Sequence, residues 1–78
     1  MTLEHNGQVY PCTIGSDVIR DGMYLEVGVQ ADGTVPIFEI FYSDVTHDMT
    51  VSLFEHDVPL AILEAAIAMA REKLPPEN

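Results

Sequence analysis

Basic residues are almost missing from this chain. Arg20, Arg71 and Lys73 stand alone against 13 Asp and Glu, giving a formal charge of −10 over 78 residues. Phosphate contacts need clustered Lys and Arg, so direct nucleic-acid binding is not expected. The same charge repels anionic membrane surfaces and favours basic partners. Cysteine is equally scarce. Cys12 has no second thiol with which to close an intrachain bridge. Small secreted domains usually rely on such bridges, so a reducing, cytoplasmic compartment is the expectation. Long apolar runs are lacking too. The longest, Leu60 to Ala70, is interrupted by Glu64 and is too short to span a bilayer. Met1–Asn6 carries neither a basic segment nor an apolar run, so no signal peptide is expected. No linker, repeat or low-complexity segment divides the chain.

What is present is a 47% hydrophobic composition, which argues against disorder despite the charge. The length fits one domain, residues 1–78. The hydrophobic period is two over roughly the first 54 residues and then turns helical. Asn6-Gly7 is a hairpin signal between Leu3–His5 and Gln8–Ile14, because a type I′ turn needs positive φ at both central residues. Pro11 lacks an N–H, so its strand belongs at an edge or carries a bulge. Gly15–Gly22 reads as turn-rich, with a brief extended piece at Val18–Arg20. Met23–Val29, Val35–Tyr42 and Met49–Phe54 read as strands, joined by a hairpin signal at Asp32-Gly33 and a polar turn at Ser43–Asp48. Pro59 opens a helix over about 59–74, where its missing N–H is not needed. Leu60, Leu63, Ile67, Ala70 and Leu74 form its stripe, widened by Ile62, Ala66 and Met69. Arg71 and Lys73 in the last turn suit the helix dipole, and Pro75-Pro76 stops it. The fold class is α+β: an antiparallel meander of four or five strands with one C-terminal helix packed on one face.

A single helix covers a single face. Met23, Leu25, Val27, Val29, Phe38, Ile40, Tyr42, Met49, Val51 and Leu53 are expected beneath it. Tyr24, Glu26, Gly28, Ile37, Glu39, Phe41, Thr50, Ser52 and Phe54 are then expected on the open side. Aromatic residues rimmed by charge mark an interface, so the partner-binding candidates are Tyr24, Glu26, Ile37, Glu39, Phe41 and Phe54. Ala61, Ala65, Ala68 and Glu72 align along the helix, where alanine serves as the best helix former on a solvated face.

Catalytic patterns are thin. His47-Asp48 and His56-Asp57 bracket one strand, which sets the histidines nearly ~30 Å apart at ~3.3 Å per residue, too far to share an ion. Cys12 has no histidine near it in sequence except His5 across the first hairpin, and reads as an inert thiol. Alternate turns of a meander fall at one end, so Asp17, Asp21, Asp44 and Asp48 gather there, with Asp32, Glu55 and Asp57 at the other. Four carboxylates could hold a calcium or magnesium ion. Turn geometry already accounts for them, and no Asp-x-Asp-x-Asp-Gly loop is present. No phosphate-cradling glycine pattern appears either. No cofactor, metal or enzymatic activity is expected.

The reading is a small acidic, non-enzymatic interaction module that occludes a basic protein surface. In size and charge, and in those alone, the chain resembles the small acidic inhibitors of bacteria and phages: immunity proteins, DNA-mimicking nuclease inhibitors and anti-CRISPR proteins. That resemblance implies an inhibitor acting on a basic partner. Two alternatives stand beside it. One is a homodimer packed through the sheet face or the alanine face of the helix. The other is a small metal-dependent protein using the loop aspartates.

Overall fold

The computed structural model describes residues 1–29 and 35–75. It contains β1 (Thr2–His5), β2 (Gln8–Asp17), β3 (Gly22–Gly28), β4 (Pro36–Ser43), β5 (Met49–Leu53) and α1 (Leu60–Lys73). The strands form one antiparallel sheet in the order β1-β2-β3-β4-β5, and α1 packs on one face. This is the expected meander. The Asp32-Gly33 hairpin and the Pro76 stop lie outside the described residues.

Asn6 and Gly7 adopt φ of 51° and 77°, as a tight hairpin with right-handed strand twist requires. Pro11 marks a change of partner within β2. Residues 8–11 pair with β1, and Cys12–Asp17 pair with β3. The missing N–H of Pro11 therefore falls where no β3 ladder exists. β2 also runs three residues beyond the expected end, through Gly15, Ser16 and Asp17. Gly15 is opposite Tyr24, whose ring lies over the glycine and supplies the packing surface that a glycine strand position lacks.

The core forms between sheet and helix. Leu25, Val27, Phe38, Ile40 and Tyr42 of the central strands meet Ile62, Ala66, Ala70 and Leu74 of α1, joined by Tyr10 and Cys12 from β2. Each large side chain buried in this way contributes ~1.5–3 kcal/mol against its exposed state. The buried helical ridge is Ile62-Ala66-Ala70, continued by Leu74; Ala70 and Leu74 belong to the expected stripe and Ile62 and Ala66 to its widening, whereas Leu63 and Ile67 only flank the ridge and Leu60 is 67% exposed. The two alanines at the centre of the contact let helix and sheet approach closely. Pro59 is the N-cap rather than the first helical residue, and its carbonyl accepts the N–H of Ile62 and Leu63.

β5 also departs from expectation. Val51 and Leu53 do point to the helix side, opposite Ile40 and Phe38, but remain 42% and 57% exposed. The reason is placement. α1 lies across β1, β3 and β4 and, among the described residues, leaves the β5 end of that face uncovered. Among the described residues no helix is long and apolar enough to cross a membrane.

Candidate functional site

Directly opposed residues of an antiparallel ladder share a face. The register therefore lays out the open side in rows. One row is Thr13-Glu26-Glu39-Ser52, and the next is Gly15-Tyr24-Phe41-Thr50. Four of the six expected interface residues, Tyr24, Glu26, Glu39 and Phe41, are thus neighbours on one surface.

Ile37 is not with them. The pairing shifts by one residue between Val27 and Gly28, which leaves Ile37 as a bulge, and it packs against the core cluster. It lines a groove of about 370 Å³ at the far end of the sheet, with Tyr10, Val58, Glu55, His56 and Asp57. Phe54 follows β5 directly. Its N–H donates to the Ile37 carbonyl at 2.9 Å, and its side chain is exposed.

The residue that sequence reasoning missed is Arg20. It sits in the β2–β3 turn and folds back over the open face. Its Nη1 and Nη2 donate to Oε1 and Oε2 of Glu39, both at 2.9 Å. Its Nε donates to Asp17 Oδ2 at 2.6 Å, and its guanidinium carbon stands 4.2 Å from the centre of the Phe41 ring. A planar fork that matches a carboxylate and stacks on an aromatic face is specific to arginine. The Glu39 hydrogen bonds, then those of Asp17, push the Arg20 pKa further above its ordinary value, so it stays cationic. The Asp17 carboxyl is held below its ordinary value, first by the backbone N–H of Arg20 and then by its side chain. Glu39 is consequently 8% exposed, a buried and paired carboxylate rather than an open one. The available sequence signal was the Asp17-x-x-Arg20 spacing across a turn; the reach to Glu39 depends on the register.

The neighbouring carboxylate is different. Glu26 stands opposite Glu39, beside Tyr24, and is half-buried. Like charges placed in this way repel. Arg20 offsets the repulsion for Glu39, while no ion pair to Glu26 forms among the described residues. Arg71 and Lys73 lie exposed at the end of α1, which packs on the other face.

Other candidates come apart. The turns carrying Asp21 and Asp44 do meet, with the Asp44 N–H donating to the Asp21 carbonyl at 2.9 Å. Both carboxylate oxygens of Asp17 are nevertheless taken by Ile19, Arg20 and the Arg20 side chain. Among the described residues no group of three or more His, Cys, Asp or Glu is placed to hold a metal ion. His47 and His56 sit at opposite ends of β5. His5 is opposite Gln8, whereas the Cys12 N–H bonds to the Met1 carbonyl, so His5 does not approach the thiol. Burial pushes the Cys12 thiol pKa up, away from the reactive thiolate. Of the helix alanines, Ala61 and Ala68 are exposed and Ala65 is half-buried.

The chain matches no protein-family model, no curated protein and no solved structure.

Proposed function

We propose that this chain is a small acidic, non-enzymatic interaction module that binds a basic protein partner through the sheet face opposite α1. One observation carries the reading. Glu39 and Phe41 form a carboxylate–aromatic pair that seats the guanidinium of Arg20. Glu26 and Tyr24 form a second such pair on the adjacent strand, and no cation of this chain pairs with Glu26 among the described residues. An arginine from a partner would repeat at Glu26 and Tyr24 the arrangement that Arg20 makes internally. It would relieve the Glu26–Glu39 repulsion as it docks. The rest of the −10 charge would raise the association rate by steering. Inhibition follows by occlusion if the covered surface is the partner's working site.

The test is affinity capture from lysate of the native host, with the wild type compared against Glu26→Lys and Tyr24→Ala. A basic protein retained by the wild type, weakened by added salt and lost with both variants, supports the reading. Equal retention by all three baits rejects it.

A further inference from the structure

We propose that a second copy of this chain pairs with the free edge of β5, antiparallel, about a twofold axis at Val51, so that two five-stranded sheets become one of ten strands. Two hydrogen bonds fix the backbone direction of this edge. The Phe54 N–H donates to the Ile37 carbonyl, and the Ser43 N–H donates to the Asp48 carbonyl. Even-numbered residues of this segment therefore direct their polar backbone groups at β4. Alternation then turns the N–H and C=O of Met49, Val51 and Leu53 outward, where β5 has no neighbouring strand among the described residues. An axis at Val51 pairs Val51 with its own equivalent and Met49 with Leu53 of the second copy. That satisfies all three outward residues on each side through about six backbone hydrogen bonds.

The edge carries none of the usual guards. Met49–Leu53 has no charge, no proline and no bulge. The opposite edge, β1, is four residues long, contains Glu4 and is packed by α1. The side chains of β5 are also self-complementary. Met49, Val51 and Leu53 from both copies would share the helix-side face, where Val51 and Leu53 are exposed, and Thr50 would meet Ser52 on the other.

This self-complementarity selects a second copy as the occupant. Within Met49–Leu53 the Val51 register sets no charged side chain against another. Two bodies of charge −10 thus meet along a strand that carries no charge. This surface is separate from the one proposed above. Pairing leaves both Tyr24–Glu26 pairs open on one continuous sheet face.

Sedimentation velocity over a micromolar-to-millimolar series, at low and high salt, tests it with wild type, Val51→Pro and Val51→Lys. The N–H of Val51 faces away from β4, so proline there spares the internal ladder. Lysine covers the case in which proline unfolds the chain. The wild type should dimerise, more strongly in salt as self-repulsion is screened. Both variants should stay monomeric while keeping a cooperative thermal melt. Val51→Cys should give a disulfide-linked dimer on oxidation, since hydrogen-bonded antiparallel partners lie ~5.5 Å apart at Cα, within disulfide reach. A wild type that is monomeric throughout overturns the proposal. So does a dimer undiminished in both Val51 variants, or a monomer whose β5 edge captures a strand of another protein instead. Glu26→Lys should leave the dimer intact, which separates this result from failure of the partner-binding reading.

Discussion

The β2–β3 and β4–β5 turns use the same local device at the same end of the sheet, and they deliver different things. In the first, Asp17 Oδ1 accepts the N–H of Ile19 and of Arg20, both at 3.1 Å, and Asp21 closes the turn at φ 56°. In the second, Ser43 Oγ accepts the N–H of Val45 at 3.2 Å and of Thr46 at 3.1 Å, and His47 closes it at φ 64°. A short oxygen-bearing side chain that captures N–H groups two and three residues on is a familiar turn former. The contrast lies in the side chains beyond that capping oxygen. Arg20 returns over the open face to Glu39 and Phe41, whereas its positional equivalent, Thr46, stays local and accepts the Asp48 N–H at 3.2 Å. His47 turns the other way, and its Nδ1 hydrogen-bonds with Tyr42 Oη at 2.8 Å at the rim of the core. The backbone fixes where a turn residue stands. Its side chain then decides which face of the sheet it serves.

The largest break in this parallel comes just after each turn. Gly22 and Asp48 are equivalent, but a Cβ on Gly22 would overlap the Tyr42 carbonyl and the Phe41 ring. A backbone carbonyl cannot swing aside as a side-chain tip can. Gly22→Ala should therefore cost about 3 kcal/mol in urea unfolding, at the upper end of overpacking effects. Asp48→Ala, on an exposed side chain, should stay within about 0.5 kcal/mol. Equal costs would show that the two turns are not packed differently.

Arg20→Ala comes next. It removes the fork to Glu39 and the stacking on Phe41, and should cost roughly 1–3 kcal/mol. The side chain of Arg20 is 43% exposed, so water partly replaces it at Glu39 and keeps the loss below that of a fully buried pair. Arg20→Lys should recover less than half, because an ammonium cannot reproduce the two parallel bonds. Thr46→Ala, at the matching slot, should change stability by about 0.5 kcal/mol or less. Full rescue by lysine would reduce the Arg20 seat to simple charge attraction, and with it the template for partner binding at Glu26.

These differences also show what the sequence could and could not reveal. The Ser43–Asp48 turn was legible because Asp and Ser have local reasons to be there, and the β2–β3 turn only in part: the extended piece expected at Val18–Arg20 is the turn itself, while Gly15–Asp17 continues β2. Alternation placed Tyr24, Glu26, Glu39 and Phe41 on one face, and the helix period placed α1, because both periods are local geometry. Register and reach were not legible. Ile37 leaves the face through a one-residue bulge, which no residue type announces. Val51 and Leu53 stay exposed because α1 lies toward β1, and a helical period does not say where across a sheet the helix settles. Arg20 covers Glu39 from 19 positions away, so the acid that looked open is the paired one. The charge of −10 said how the surface behaves at a distance; only contacts separate Glu26 from Glu39.

The finest distinction between the turns is electrical. Asp17 carries a charge that its turn exploits, and Ser43 does the same hydrogen-bonding work without one. Because the Asp17 carboxyl is held below its ordinary pKa in the fold, the stability it supplies is present above the unfolded value of ~3.9 and is lost as pH falls through the lowered folded value. Asp17→Asn keeps a neutral oxygen for the backbone N–H groups but drops the charge facing Arg20. Its deficit against wild type, read from thermal melts, should be full near neutral pH and shrink steadily below about pH 4. Ser43→Ala should cost about 1 kcal/mol, by analogy with the loss of a helix N-cap, and that cost should not change with pH. If the Asp17→Asn deficit is as flat across the acid range as that of Ser43→Ala, the two caps are interchangeable. The first turn would then owe its rigidity to backbone hydrogen bonding alone, with no contribution from the ion pair to Arg20.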